Sequence, residues 1–207
     1  QGRGLRIVRA PHHDPPAGTI MAYLWRARKA YLIGNDYWAV KSLGRALHYV
    51  QDKSVSPGRG FRRHDAREEY VADLTPPREA VVAGIEVAEC SPRFVRRCIA
   101  EVRPEKRPDE IMFQATLYSA AITASVLGPP DPEDVLLDRY RRAVKAHRLR
   151  PALGGAAAVA SVTAAFAGLH PGVAAAGGLA AAVIIADPAY RRVCREAEWF
   201  GLDAHRP

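Results

Sequence analysis

The chain has little cysteine, no sustained strand-like alternation and, over one long stretch, no charge. Its three cysteines, Cys90, Cys98 and Cys194, cannot all pair within one chain. None stands in a C-x-x-C arrangement, so nothing points to a zinc knuckle or a dithiol redox centre. Cys90 and Cys98 can bridge only if the Ser91-Pro92 turn brings their helices together, and all three are otherwise expected as buried packing residues. No segment alternates apolar and polar residues long enough to predict a strand, which leaves an all-α fold. Residues 151–186 contain no Asp, Glu, Lys or Arg. No signal peptide is visible, and because the chain opens on Gln1 a processed or trimmed N-terminus is expected, any export signal having been removed.

What is present is ordinary for a folded protein: 207 residues, 48% of them hydrophobic, enough for one well-buried domain with an appendage. The 30 Lys and Arg against 22 Asp and Glu give a net charge of +8. Such an excess favours acidic partners, phospholipid headgroups or nucleic acid, although a solvated basic surface carries the same charge. After a Pro-rich arm over 1–15, apolar spacing predicts a helix from Gly18 to Ile33 that ends at Gly34-Asn35. Another follows from Tyr37 to Gln51, with Asp36 as N-cap. A Pro/Gly loop spans 53–60, and further helices are predicted over 64–71, 77–88, 92–102, 109–127 and 131–147. The expected organisation is a metal-binding helical domain over 1–150 and an apolar helical hairpin with a basic C-terminal helix over 151–207.

The uncharged stretch is broken by His170-Pro171 into two Ala/Gly-rich arms, 152–169 and 172–186, whose small side chains allow close backbone approach. A membrane span needs about 20 apolar residues, so the first arm is borderline and the second short. Lys145, Arg148 and Arg150 precede the stretch and Arg191, Arg192 and Arg195 follow it, which puts both ends on one membrane face. The expectation is a hairpin embedded in or docked on a phospholipid membrane surface, with a tightly packed hairpin or a homo-oligomer interface through 151–187 as the alternative. Localisation is accordingly expected to be membrane-associated or extracellular.

The residues with metal chemistry lie earlier. His48 and Asp52 are four apart, on one face of a predicted helix, and His64 and Glu68 repeat that spacing twelve residues later. Either pair alone reads as a surface ion pair. Two pairs on neighbouring helices are how helical bundles assemble metal sites, and imidazole with carboxylate suits zinc, with manganese or iron as alternatives. Arg59, Arg62 and Arg63, with Arg67, surround the second pair as candidate phosphate-binding groups or as a solvated basic face. Trp25, Tyr31, Tyr37 and Trp38 have spacings that favour core packing over base stacking or lipid contact.

The run Leu43-Gly44-x-Ala46-Leu47-His48-Tyr49-x-x-Asp52, followed by Ser56-Pro57 and His64-x-x-x-Glu68, resembles the zinc-dependent phospholipase C and fungal single-strand nuclease superfamily. The resemblance covers roughly residues 12–75. It implies an all-α phospholipase C-like domain in which zinc ions activate water against a phosphodiester. It makes His48, Asp52, His64 and Glu68 zinc ligands, His12 or His13 the N-terminal ligand, and Asp36 the remaining bridging carboxylate. Asp36 and Asp52 are then the candidate catalytic carboxylates. The chain departs from the family where Gly58, Arg59 and Gly60 replace the histidine expected after the loop proline, and where no histidine lies between His13 and His48. One or two zinc ions are therefore expected rather than three. The implied function is a phosphodiesterase acting on phospholipid headgroups, with a single-strand nuclease, or a non-catalytic membrane or assembly protein with a structural metal, as alternatives.

Overall fold

The computed structural model describes residues 16–56, 69–71, 73–130, 132, 134–168, 172, 175–179, 182 and 187–202. Among these the backbone is helical without a strand, so the chain is all-α; a single parallel bridge, Val55 with Glu105, is the only pairing of extended backbone among them. The first helix, α1 (Ala17–Leu32), buries Ile20, Leu24 and Ala27, the spacing that predicted it. It ends at Gly34, whose φ of +74° is left-handed and favours glycine, letting Asn35 N–H reach back to the Ala30 carbonyl at 2.8 Å. The next helix, α2 (Asp36–Ser54), is capped not by Asp36 but by Asn35, whose side chain accepts from Trp38 N–H at 3.2 Å. Asp36 sits in the first turn instead, where its charge complements the helix dipole.

Among the described residues of the first compact unit, residues 1–130, three longer helices follow: α3 (Arg78–Glu86), α4 (Pro92–Glu101) and α5 (Pro108–Leu127). α1 packs on α2 as an antiparallel hairpin, and α3 lies along α5. Gly84 makes that second contact possible, since a Cβ there would stand 2.4 Å from the Leu117 carbonyl oxygen. Ser91 caps α4 by accepting from Arg93 and Phe94 N–H. Arg28, fully buried, donates to the Val126 and Gly128 carbonyls at 2.8 and 2.6 Å, closing the C-terminal end of α5. The three cysteines are free thiols; Cys98 and Cys194 are buried and Cys90 is half-buried.

The second unit, residues 131–207, departs from the expected elements. A helix ending near His147 and a separate arm starting at 152 were expected; one helix, α6 (Asp134–Phe166), runs through both and through Pro151. Proline's fixed φ is helical, and its missing N–H costs the single bond that the His147 carbonyl would have accepted. The composition changes at 150–151, inside this helix, whereas the units divide after Pro130. α6 ends in a turn at Ala167–Gly168, and a helical stretch at 175–179 returns against it with Gly177 facing Ser161. The last helix, α7 (Pro188–Trp199), packs on α6, with Leu136 of α6 and Cys194, Ala197 and Trp199 of α7 buried.

Candidate functional site

The last two turns of α2 carry the pair that drew attention in the sequence. His48 Nε2 stands 3.4 Å from Asp52 Oδ2, the imidazole largely in solvent and the carboxylate almost wholly covered. Two turns of one helix set this approach, because residues four apart project over the same face. Asp52 is an acid in the last turn of a helix, the end whose partial charge is negative, and it is buried as well. The chain leaving α2 is firmly held: Ser56 N–H donates to the Glu105 carbonyl at 2.9 Å, and Glu105 N–H to the Ser54 carbonyl at 2.8 Å. Lys53 Nζ donates to the Ile99 carbonyl at 2.8 Å. These bonds anchor the chain at the end of α2, which runs through Ser54 where a loop from Lys53 was expected.

Aromatic and cationic groups surround the pair. Tyr49 lies beside the His48 ring with centroids 6.0 Å apart, and Tyr23 of α1 beside Tyr49 at the same distance. Arg26 and Arg45 stand over the Tyr23 ring at 5.3 and 6.0 Å, so two guanidinium groups gather on the α1–α2 face that bears Tyr49. An open, largely apolar groove of about 470 Å³ adjoins the same helix, lined by Gln51, Val81, Ile85, Thr116 and Ala120. Gln51 projects about 100° around α2 from Asp52, so this groove belongs to a different face from the pair.

Of the other sequence candidates, Asp36 is exposed at the opposite end of α2, sixteen residues and about 24 Å of helix from Asp52. The structure therefore does not bring Asp36 to the His48–Asp52 pair, because a straight helix holds its two ends apart. His12, His13, Arg59, Arg62, Arg63, His64, Arg67 and Glu68 lie outside the described residues. Among the described residues no group of three or more His, Cys, Asp or Glu side chains converges as a metal site. Tyr37 and Trp38, expected in the core, are exposed. They stand edge to face 5.4 Å apart with Lys41 Nζ over both rings.

One cluster escaped sequence reasoning. Asp187, almost fully buried and left-handed with φ +40°, is ion-paired with Arg150 Nη1 at 3.0 Å and faces His147 Nδ1 at 3.0 Å. It also caps α7 by accepting from Tyr190 N–H at 3.1 Å, and the His147 ring stacks on Tyr190 at 3.8 Å. Burial pushes the Asp187 pKa up, but the His147 hydrogen bond, the Tyr190 N–H and the Arg150 charge outweigh it and hold the carboxyl below its ordinary value. No local spacing signals a contact forty residues apart; Asp187-Pro188, a cap residue before a first-turn proline, was the sole trace. No family model, curated protein or solved structure matches the chain, so the reading of these sites rests on their own chemistry and on the motif around His48.

Proposed function

We propose that the chain is a metal-dependent phosphodiesterase with a phospholipase C-like helical domain, acting on phospholipid headgroups and using one or two zinc ions. The observation that carries the reading is the His48–Asp52 pair at the end of α2. Its 3.4 Å separation suits one ion: two ligands about 2.0–2.1 Å from a tetrahedral zinc lie about 3.3 Å apart. The donor set, one imidazole nitrogen and one carboxylate oxygen, fits zinc, and the solvent-facing imidazole leaves the position open to a substrate. His64 and Glu68, with His12 or His13, are the further ligands the motif supplies. A zinc ion held there would supply an activated water and charge neutralisation for a phosphoester. The chain's own part is to hold Asp52 covered, to aim the His48 ring from one turn earlier, and to fix the outgoing chain through the Ser54–Glu105 and Ser56–Glu105 bonds. Arg59, Arg62 and Arg63 are assigned to the substrate phosphate. Asp36, remote on α2, is assigned no part in the ion held by His48 and Asp52.

The test combines metal content with activity. Protein purified without chelator is expected to carry zinc by elemental analysis and to hydrolyse phosphatidylcholine vesicles. Asp52→Ala is expected to lose metal and to lower hydrolysis by on the order of a hundredfold or more. Absence of any transition metal, or full activity in Asp52→Ala, would sink the reading. Cleavage of single-stranded DNA without hydrolysis of phospholipid would instead make the substrate nucleic acid.

A further inference from the structure

The outer half of α6 presents a surface that a water-soluble monomer seldom keeps. Among the described residues α6 is the one helix long and apolar enough to pass as a membrane span, and only 6% of its apolar window is buried. Leu153, Val159, Val162 and Phe166 are exposed, Phe166 by 89%, as is Leu179 on the returning stretch. No charged side chain interrupts residues 151–186. The two hydroxyls of this half are bonded internally: Ser161 Oγ donates to the Ala157 carbonyl at 2.7 Å and Thr163 Oγ1 to the Val159 carbonyl at 2.9 Å. Such bonding removes the cost of taking them out of water.

The ends of the uncharged segment are fastened together. Arg150 and His147, just before it, both bind Asp187, just after it. The segment must therefore leave and return at one place, and Gly177 against Ser161 shows its two limbs in close contact. Sixteen residues of α6 beyond Arg150 reach about 24 Å, short of the roughly 30 Å hydrocarbon core, so the limb can enter a bilayer but not cross it upright. Around the fastened base, Lys145 and Arg148 of α6 and Arg191, Arg192 and Arg195 of α7 are exposed, forming a cationic collar. Charge complementarity thus selects the occupant: an apolar limb above a cationic collar matches an anionic lipid bilayer, whose headgroups meet the arginines while its acyl chains cover the limb.

We infer that the outer half of α6, residues 151–166, with the returning stretch 175–179 against it, inserts into one face of an anionic bilayer and does not cross it, held at its base by the Arg150–His147–Asp187 clasp. This inference stands on the second unit alone and does not depend on the metal chemistry of the first.

The full-length protein is tested by flotation with vesicles of phosphatidylcholine alone and of phosphatidylcholine mixed with phosphatidylglycerol. It is expected to float with the mixed vesicles and to bind the neutral ones less. Val159→Asp and Val162→Asp replace exposed side chains, so folding, followed by circular dichroism, is expected to survive. Each is expected to weaken vesicle binding by on the order of a hundredfold, the cost of a charge in hydrocarbon. Arg191→Glu with Arg192→Glu is expected to abolish the preference for anionic vesicles. Failure of the wild type to bind either vesicle, or binding untouched by the two aspartates, would overturn the inference. So would a wild-type dimer that ignores lipid and becomes monomeric in Val162→Asp by light scattering, since the cover would then be a second copy of the chain.

Discussion

At the scale of single residues, Arg28 is the most heavily committed side chain among the described residues of the first unit. Burial pushes its pKa down, against the opposing influence of Cys90 and Tyr31, yet it donates to two carbonyls at the end of α5 and approaches Cys90 Sγ at 3.2 Å. An arginine in the middle of α1 reads in sequence as a surface residue, because its partners lie about a hundred positions away. Arg28→Met keeps much of the volume but leaves the Val126 and Gly128 carbonyls short of their donors, and is expected to cost about 2–3 kcal/mol in denaturant unfolding. Asp52 was legible for the opposite reason: its partner His48 is one turn away, and i to i+4 spacing is a property of the helix itself.

Helices were legible where a run of apolar residues was bounded by a cap, a proline or a turn glycine, as in α1, α2, α4 and α5, whose bounds fall within a few residues of those expected. They were misread where composition changed without a change of backbone. Pro151 and the onset of Ala/Gly-rich sequence looked like a break, but α6 passes through because a single proline removes one hydrogen bond from a helix of 33 residues. The pairing of helices depended on features with no periodic signal. Gly84, which reads as a weak point in α3, is the place where α3 comes close to the backbone of α5 at Leu117 and Ala121. Gly84→Val has no room beside the Leu117 carbonyl and the Ala120 Cβ, and it is expected to force the helices apart at a cost of about 1–3 kcal/mol. A fall in thermal midpoint of several degrees would register it; an unchanged midpoint would show that α3 and α5 can separate freely.

For the molecule as a whole, two compact units allow two unfolding transitions, and the second unit carries its own acid sensitivity. The Asp187 carboxyl binds protons less readily when folded than when unfolded, so its network stabilises the unit above the ordinary carboxylate range near pH 4. That contribution is lost as the pH falls further, through the depressed folded value. Of the three tryptophans, Trp25 and Trp38 lie in the first unit and Trp199 in the second, so a Trp25→Phe, Trp38→Phe protein reports on the second unit alone. Its Trp199 fluorescence transition is expected to move to lower temperature between about pH 5 and pH 3, and Asp187→Asn should remove most of that dependence. A transition that shifts equally in Asp187→Asn would assign the acid sensitivity to another group.

The amino-acid sequence by itself determined the all-α class, the helices with clear stripes and caps, the His48–Asp52 pair and the uncharged stretch over 151–186, because each is written in neighbours or in the period of one helix. Only the tertiary structure decided that Arg28 closes α5 and that Asp187 is gripped by Arg150 and His147. Those contacts join positions whose separation no local rule encodes, and they form only when packing brings distant turns of the chain together.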